Sequence, residues 1–311
     1  MTARFPATTT GSTGRPAFAA GLRRVPELLA IWGPLLIAAA HIVLFAAWTL
    51  WMSFTSSTLM PVSDFVGLRN YNLVLGTRNW KIAFDNLLLF SSSFVVLTML
   101  TGLVLAILLD QRIRGENVLR SIFLYPMAVS FVVTGVVWSW LLNPGMGIQK
   151  LVNDLGWTSF RFDWLIDREM AIWTIVLAGV WQASGFAMAL LLAGLRSVEA
   201  DLIKAAQIDG AGPVRMYLRV ILPTLWPIII AVLVILLQMA ITTFDLVRAL
   251  TGGGPGIATQ LPALVVYDFM FQRGQLGRGA AAAVLMLLTL LFVLVPHAAW
   301  KYAQRRRESR V

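Results

Sequence analysis

The 311-residue sequence contains no cysteine and only two histidines, and Asp, Glu, Lys and Arg together make up only 13% of it. Without cysteine the chain can form neither a disulfide nor a thiolate metal site. His41 and His297 lie inside or at the edge of long apolar runs, where they cannot join a plausible metal cluster. The sequence therefore offers no candidate catalytic residue and no candidate metal ligand.

A phosphate-binding loop is also missing. The nearest candidate is the glycine-rich run at residues 252–256, but no Gly-Lys-Ser or Gly-Lys-Thr follows it. A P-loop uses that lysine and hydroxyl to hold the nucleotide phosphates and Mg²⁺. We therefore expect that the chain is not an enzyme and does not hydrolyse ATP by itself.

Apolar residues, in contrast, form 58% of the sequence and raise its mean hydropathy to +0.77. A helix of about 20 residues crosses the roughly 30 Å hydrocarbon core of a bilayer. Stretches of 22 to 27 residues without Asp, Glu, Lys or Arg occur at residues 28–54, 87–109, 121–142, 170–195, 220–244 and 279–300. The sequence thus predicts an all-α membrane protein with six transmembrane helices, and excludes a disordered chain and a secreted disulfide scaffold.

The net charge of +10 indicates membrane topology rather than nucleic-acid binding, because no basic, aromatic-rich soluble surface accompanies it. Positive charge accumulates on the cytoplasmic side of membrane proteins. If the N-terminus is cytoplasmic, 16 of the 25 Lys and Arg residues fall in the inner segments, which are residues 1–27, 110–120, 196–219 and 301–311. We therefore expect both termini in the cytoplasm.

The chain divides into two tails and one membrane domain. Residues 1–27 are rich in Thr, Gly, Ser, Pro and Ala with scattered Arg, and are predicted to be a disordered tail. Residues 28–300 form the six-helix domain, and residues 301–311 form a basic cytoplasmic tail. The basic pair before the first apolar run could mimic a cleaved signal peptide, but the run continues unbroken to Phe54, so we expect an uncleaved first span.

The loop at residues 196–225 has the pattern of two helices joined by a tight turn. Ser197 is placed to cap the first helix, whose acidic first turn suits the positive end of the helix dipole. Gly210 is predicted to end this helix, and Pro213 suits the first turn of the second. From the residues alone, the loop is either a docking knob or an amphipathic linker.

The same loop carries a spaced set of residues, namely Lys204, Ala205, Ala206, Asp209, Gly210 and Ala211, then Tyr217, Val220, Leu222, Pro223 and Pro227. This set resembles the EAA motif of binding-protein-dependent ABC importer permeases. In that family the segment forms a coupling helix that sits in a cleft of the ATPase subunit. Lys204 stands where the family usually has Glu, so Asp201 or Glu199 is the alternative acidic contact for the ATPase.

Two further segments narrow the resemblance. The segment after the first span contains Phe65, Val66, Gly67, Leu68, Asn70 and Tyr71. The segment before the sixth span contains Leu250, Thr251, Gly253, Gly254, Pro255, Thr259, Tyr267, Phe271 and Gly277. Both are similar to the carbohydrate permeases of maltose and glycerol-3-phosphate importers. The resemblance covers residues 26–303 and implies the type I ABC importer permease fold with a cytoplasmic coupling helix.

The resemblance implies the permease subunit of an ATP-driven sugar importer in the bacterial inner membrane, surrounded by lipid. The implied partners are a second permease, two ATPase subunits and an extracytoplasmic solute-binding protein. The ATPase binds ATP and Mg²⁺, so no cofactor is expected in this chain. The alternatives are a permease for a polyol or glycerol phosphate, and an ion-coupled secondary transporter, which would normally carry ionisable groups inside its spans.

Polar residues inside two predicted spans are candidates for lining the transport pathway. They are Gln238, Thr242, Thr243 and Asp245 on the fifth span, and Trp181, Gln182 and Ser184 on the fourth. Amides and hydroxyls suit sugar hydroxyls, and an indole suits the apolar face of a pyranose. The same residue types also form interhelical hydrogen bonds, so both roles stay open. Asp245 and Arg248 can likewise form an intrahelical pair or a gate.

The glycine run at residues 252–256 permits two interpretations. It is either a flexible outer loop or a turn that closely approaches the solute-binding protein or the pore. The family resemblance falls on this run and favours the second.

Overall fold

The computed structural model describes residues 17–111 and 113–308, and within these residues every regular element is a helix. The isolated antiparallel bridge between Thr55 and Phe65 is the one strand-like pairing in that part of the chain. The α-helices are α1 (Ala17–Ser53), α2 (Arg69–Gly76), α3 (Arg78–Asp110), α4 (Glu116–Ala128), α5 (Phe131–Leu141), α6 (Ile148–Asp154), α7 (Ala171–Leu195), α8 (Ala200–Ile208), α9 (Pro213–Met216), α10 (Leu222–Thr224), α11 (Trp226–Ile241), α12 (Asp245–Leu250), α13 (Pro262–Tyr267) and α14 (Leu276–Glu308). The predicted all-α class is confirmed.

Helices long and apolar enough to cross a membrane are Trp32–Ser53, Arg78–Asp110, Ala171–Leu195 and Leu276–Ala303. Two bent pairs of shorter helices pass the same test, namely Glu116–Ala128 with Phe131–Leu141 and Pro213–Thr224 with Trp226–Ile241. The predicted six spans are therefore present when each bent pair counts as one span. The third and fifth spans are not the single helices that their uncharged runs predict.

The third span bends by 97° between α4 and α5. Pro126 in the last turn of α4 lacks an amide donor, and Val129 after it is extended, with ψ at 137°. Ser130 then starts α5, because its hydroxyl accepts a hydrogen bond from the amide of Val132. The proline and the N-cap serine together divide an apolar run that carries no charge.

The fifth span bends by 70° near Leu225. Pro223 and Pro227 stand in the first turns of α10 and α11, where a missing amide donor is tolerated. The sequence predicts one helix that runs from Pro213 until Pro223 begins the fifth span. The structure instead has the short α9, a π-helical turn over Tyr217–Ile221, and then α10.

The helices at the two ends of the chain reach into the predicted tails. α1 begins at Ala17, so residues 17–27 are helical where the sequence predicts disorder, and residues 1–16 lie outside the described residues. α14 continues to Glu308 through most of the predicted basic tail, while residues 309–311 lie outside the described residues. The described residues up to Trp51 form one compact unit, and those from Met52 form a second, which contains the sites described below.

The core of the second unit is built on close packing between α3 and α7. A Cβ on Gly102 would lie 2.7 Å from the Cβ of Ala187, and a Cβ on Gly179 would lie 3.2 Å from the ring of Phe94. Residue numbers rise together across these two contacts, so the helices run parallel. Small residues matter here because lipid supplies no hydrophobic force between helices, and close van der Waals packing replaces it.

Large buried side chains fill the space between these helices and their neighbours α11 and α12, including Phe90, Ile175, Leu236, Leu246 and Leu250. A second buried cluster lies where α3 and α7 end, and contains Leu109, Leu192, Leu195, Ile221 and Leu225. We call this end of the unit, from which α8 continues the chain after α7, the loop end.

Candidate functional site

α8 follows α7 at the loop end and is covered by little of the chain. None of its nine residues, all of them within the described ranges, is buried. Three apolar side chains on α8 and the start of α9 are exposed, namely Leu202, Ile208 and Val214. Ile208 is 86% exposed. Exposed apolar side chains on one short loop make it a candidate for a protein–protein contact.

The end of α8 is the glycine turn that the sequence predicts. Gly210 has φ at +76°, and its amide donates to the Gln207 carbonyl oxygen at 3.0 Å. The Ala211 amide donates to the Ala206 carbonyl oxygen, also at 3.0 Å. This bonding is a Schellman motif, whose left-handed residue is costly for any side chain, by about 1–2 kcal/mol. Pro213 begins α9, as predicted.

The start of α8 differs from the prediction for Ser197. The N-cap is Glu199, with no side-chain cap bond among the described residues. Ser197 instead donates its hydroxyl to the Gly194 carbonyl oxygen at 2.7 Å, because it follows directly on the last turn of α7. Asp201 occupies the first turn of α8 and pairs with Lys204 at 3.1 Å. The side chains of this pair are 91% and 69% exposed, so water screens it and both groups stay accessible.

All the residues predicted to contact the ATPase thus lie together, on α8 or its glycine turn: Asp201, Lys204, Ala205, Ala206, Asp209, Gly210 and Ala211. The small alanines leave one face of α8 open to close approach. The unusual Lys204 is accommodated within the helix by Asp201, and does not need a partner on another element of this chain.

A charged cluster that the sequence did not predict lies at the base of this loop. Arg196, the C-cap of α7, donates Nη2 to Glu116 Oε1 at 2.6 Å and to the Leu109 carbonyl oxygen at 3.3 Å. Its Nε lies 3.8 Å from Asp110 Oδ1. A signal was present in the sequence, because both acids fall in one predicted inner segment and Arg196 is the first residue of the next.

Three of the predicted pathway residues border one cleft. Thr242, Thr243 and Asp245 lie where α11 ends and α12 begins, around a cleft of about 200 Å³. The rest of its lining is largely apolar, and consists of Phe131, Met239, Phe244 and Leu246. The two threonine hydroxyls donate to backbone carbonyl oxygens one turn back, at 2.9 and 2.7 Å. Their oxygens can still accept a hydrogen bond.

Other predicted pathway residues lie outside this cleft. Gln238 is exposed on α11, one turn before Thr242. Trp181 lines a different, mostly apolar groove of about 650 Å³, together with Ser184. The Trp181 ring meets the ring of Trp138 edge-on, with centroids 5.9 Å apart. The structure therefore does not bring Trp181 together with the residues of the α11–α12 cleft.

Gln182 has an internal partner. Its side chain is 1% exposed, and Nε2 donates to the Val129 carbonyl oxygen at 2.7 Å. Val129 lies at the break between α4 and α5, so the bond joins α7 to the bent third span. Of the two roles that the sequence left open for Gln182, the structure displays the interhelical hydrogen bond.

No ion pair joins Asp245 and Arg248 among the described residues, so of the two roles left open for them the intrahelical pair is not formed in this structure. The Arg248 guanidinium instead lies over the ring of Tyr267, 5.2 Å from its centroid. Tyr267 also contacts the rings of Phe244 and Phe271, at centroid distances of 5.2 and 5.3 Å. A cation over an aromatic face is stabilised by the ring quadrupole, which explains this choice of partner.

The glycine run at residues 252–256 forms a closed turn. Three of its glycines have positive φ angles, which range from +62° to +95°. The hydroxyls of Thr251 and Thr259 bond to each other at 2.7 Å across the turn, and Asn86 on α3 donates to the Gln260 carbonyl oxygen at 3.0 Å. This bonding is that of a folded turn rather than an open, flexible loop.

Residues from the two outer motifs meet in space. Asn70 is buried and donates to the carbonyl oxygens of Ser53 and Thr55, at 2.9 and 2.8 Å. Gly277 packs against the same residues, because a Cβ at this position would overlap the Thr55 carbonyl oxygen and lie 2.9 Å from the side-chain nitrogen Nδ2 of Asn70. The Tyr71 and Ser53 hydroxyls bond at 2.6 Å. These motif residues therefore hold the segment after the first span against the start of α14.

The chain is similar to known proteins along most of its length. Residues 98–309 match the family of binding-protein-dependent transport system inner membrane components. A probable ABC transporter permease protein of Pyrococcus horikoshii is 35% identical over 292 residues, which cover 92% of this chain and 100% of the relative. The trehalose/maltose transport system permease protein MalF of Thermococcus litoralis is 35% identical, over 84% of this chain and 89% of that protein.

A solved structure has the same fold. The crystal structure of a bacterial ABC transporter involved in the import of the acidic polysaccharide alginate contains a chain that matches with a TM-score of 0.77. The match covers 93% of this chain and 99% of the other, at 21% sequence identity. At that identity the similarity concerns the fold and not the substrate.

Proposed function

The chain belongs to the family of binding-protein-dependent transport system inner membrane components, as a permease subunit of an ABC importer, and we propose that its substrate is a sugar. The observation that carries the proposal is the similarity to a trehalose/maltose permease over 84% of the chain. The motif segments after the first span and before the sixth support it. A polyol or glycerol phosphate is the alternative substrate.

In this proposal Thr242, Thr243 and Asp245 line the transport pathway. A sugar carries many hydroxyls, and each is costly to remove from water without a new hydrogen-bond partner. The break between α11 and α12 supports the role, because membrane helices are interrupted mainly where they border a cavity or other protein. Phe131 and Phe244 offer apolar surface to a sugar ring. Gln238 adds an amide one turn away, whereas Trp181 and Gln182 are left out of the pathway.

The cleft forms one wall of the pathway, and a second permease supplies the other. A cleft of about 200 Å³ that opens to the surface of a single chain does not enclose a sugar. The exposed apolar side chains on the membrane helices are covered by that permease or by lipid.

In the same proposal α8 is the coupling helix and binds the ATPase subunit. Its exposed apolar side chains, its alanine face and its rigid glycine turn support this role. The α8 loop and both termini are cytoplasmic, which the excess of Lys and Arg in these segments supports. The glycine turn at residues 252–256 then faces outward, towards the solute-binding protein.

Transport follows by alternating access. ATP binding in the partner subunits brings the two coupling helices of the importer together and opens the permeases outward, so that the binding protein can release its sugar. ATP hydrolysis resets the permeases. The pathway is never open on both sides of the membrane at once. The sugar passes through it from the water on one side to the water on the other.

The test is uptake by proteoliposomes that contain the complete complex, with the solute-binding protein outside and ATP inside. We expect labelled disaccharide to accumulate only with ATP, and a protonophore to have no effect. Uptake that needs an ion gradient and not ATP would point to the secondary transporter. Accumulation of glycerol phosphate or a polyol, with none of a sugar panel, would overturn the sugar assignment.

A further inference from the structure

Arg196 joins the ends of three membrane helices at the base of the α8 loop. It is the C-cap of α7, and it donates Nη2 to the Leu109 carbonyl oxygen in the last turn of α3. The same nitrogen donates to Glu116, the first residue of α4, and Nε lies 3.8 Å from Asp110, the last residue of α3. A single guanidinium therefore bonds to both sides of the α3–α4 connection.

Each of these contacts suits the chemistry of a helix end. The last carbonyl groups of a helix lack an intrahelical donor, and the end carries partial negative charge, so a guanidinium suits the end of α3. Glu116 stands at the positively charged start of α4. Arginine can serve a carbonyl and a carboxylate at once because its donors form a planar fork.

The same connection also contacts the far end of the α8 loop. Gln111, the C-cap of α3, donates Nε2 to the Tyr217 hydroxyl at 3.5 Å. Tyr217 begins the π-helical turn after α9. Beneath both contacts, Leu109, Leu195 and Ile221 are buried in one apolar cluster. Both ends of the loop are thus held against the α3–α4 connection, while α8 between them carries no buried residue among those described.

We propose that Arg196 is a positioning residue that passes a displacement of α8 to α3 and α4. The proposal rests on the role of α8 as the coupling helix. Since no residue of α8 is buried, a force on it reaches the membrane helices mainly through its two anchored ends. Arg196 ties the end of α7 to the ends of α3 and α4 in addition to the apolar packing between these helices. Without Arg196 the displacement is passed on incompletely, and more ATP is hydrolysed for each sugar moved.

The test replaces Arg196 in the complete complex and measures ATPase activity and uptake in the same proteoliposomes. We expect Arg196→Gln to lower uptake per ATP by about fivefold or more while ATPase activity is largely kept. Arg196→Lys keeps the charge but loses the fork, so it recovers only part of the coupling. Arg120→Gln is the matched control, because Arg120 is exposed on the same turns of α4 and has no ion-pair partner in the described part of the chain.

A double variant separates positioning from a general loss of structure. Arg196→Gln and Glu116→Gln remove the same ion pair, so the two changes combined are expected to lower uptake per ATP little further than Arg196→Gln alone. The proposal is overturned if Arg196→Gln leaves uptake per ATP unchanged, or if ATPase activity and uptake fall in equal proportion. If the wild-type complex shows no ATP-driven uptake, the proposed function itself fails, and the two failures are distinguishable.

Discussion

The side-chain amide of Gln182 on α7 donates a hydrogen bond to the Val129 carbonyl oxygen at 2.7 Å. Val129 has extended backbone at the point where the third span bends, so no amide of a continuing helix can serve its carbonyl. Inside a membrane each backbone group without a hydrogen-bond partner is costly. A break in a membrane helix is therefore tolerated where a neighbouring helix supplies that partner. Gln182 supplies that partner from the neighbouring span.

Gln182→Met is therefore expected to destabilise the protein by about 1 kcal/mol, the usual contribution of an interhelical hydrogen bond. Methionine keeps the length of the side chain and removes the donor. The measurement is the thermal unfolding of the purified complex in detergent. Gln238→Met, at an exposed position on α11, is the control and should unfold as the wild type does. Equal losses in the two variants would contradict the assigned role.

Asn70→Ala removes both donors to the carbonyl oxygens of Ser53 and Thr55. We expect a loss of about 1–3 kcal/mol, because two hydrogen bonds to backbone carbonyl oxygens are removed. Asn72→Ala, on the exposed face of the same helix α2, should cost much less. Chemical denaturation or limited proteolysis of the segment after the first span would measure the difference. Similar behaviour of the two alanine variants would refute the structural role of Asn70.

Gly185→Ala tests the contact between α7 and α4. The added Cβ would overlap the carbonyl oxygen of Phe123, a backbone atom that cannot rotate away. We expect a destabilisation of about 1–3 kcal/mol as the helices are forced apart. Gly76→Ala is the control, since a Cβ there would meet no described atom within 4 Å. A Gly185→Ala protein with unchanged thermal stability would show that the two helices are not packed this closely.

Gly210→Val tests the coupling turn. Valine in the left-handed conformation costs about 1–2 kcal/mol or more, so the turn after α8 should open. We expect uptake to be abolished and ATPase activity to be uncoupled, with the protein still inserted in the membrane. Gly212→Val is the control, because Gly212 has an extended backbone (φ at −67°) that valine adopts freely. If both variants transport normally, α8 is not the coupling helix.

Thr242→Val tests the proposed pathway. Losing one hydrogen bond of about 1–1.5 kcal/mol to the substrate should lower uptake at low sugar concentration roughly tenfold. Thr289→Val on α14 is the matched control, because Thr289 makes the same kind of bond to the carbonyl oxygen one turn back but lies outside the cleft. ATPase activity without sugar should be unchanged in both. Equal effects on uptake would remove Thr242 from the pathway.

The sequence predicted the features that depend on a few neighbouring residues. The absence of charge marked all six spans, and Gly210 marked the end of α8 because few other residues adopt a positive φ. The bend at Val129 was not predicted, since an uncharged run is equally compatible with one helix and with two. Near Leu225 the sequence predicted a helix boundary at Pro223 but not the bend. Pro126, with Ser130 after it, was the available signal for the first bend.

Contacts between residues far apart in the chain were not predicted from the sequence. Arg196 pairs with Glu116 across 80 positions, and hydropathy says nothing of which loops meet. Polar residues within a span raise a related problem, because a hydrogen bond to a neighbouring helix and one to a substrate need the same side chains. The orientation of α7 decides that Gln182 points to Val129, and the orientation of α11 decides that Thr242 borders a cleft.

The junction of Asn70, Thr55 and Gly277 has a consequence for the order in which the protein can be completed. Gly277 stands at the start of the sixth span, whereas Thr55 and Asn70 follow the first. The early segment must therefore wait in the membrane, incompletely packed, through the synthesis of four further spans. A chain that stops short of α14 leaves this junction open, and should be a preferred target for membrane quality-control proteases.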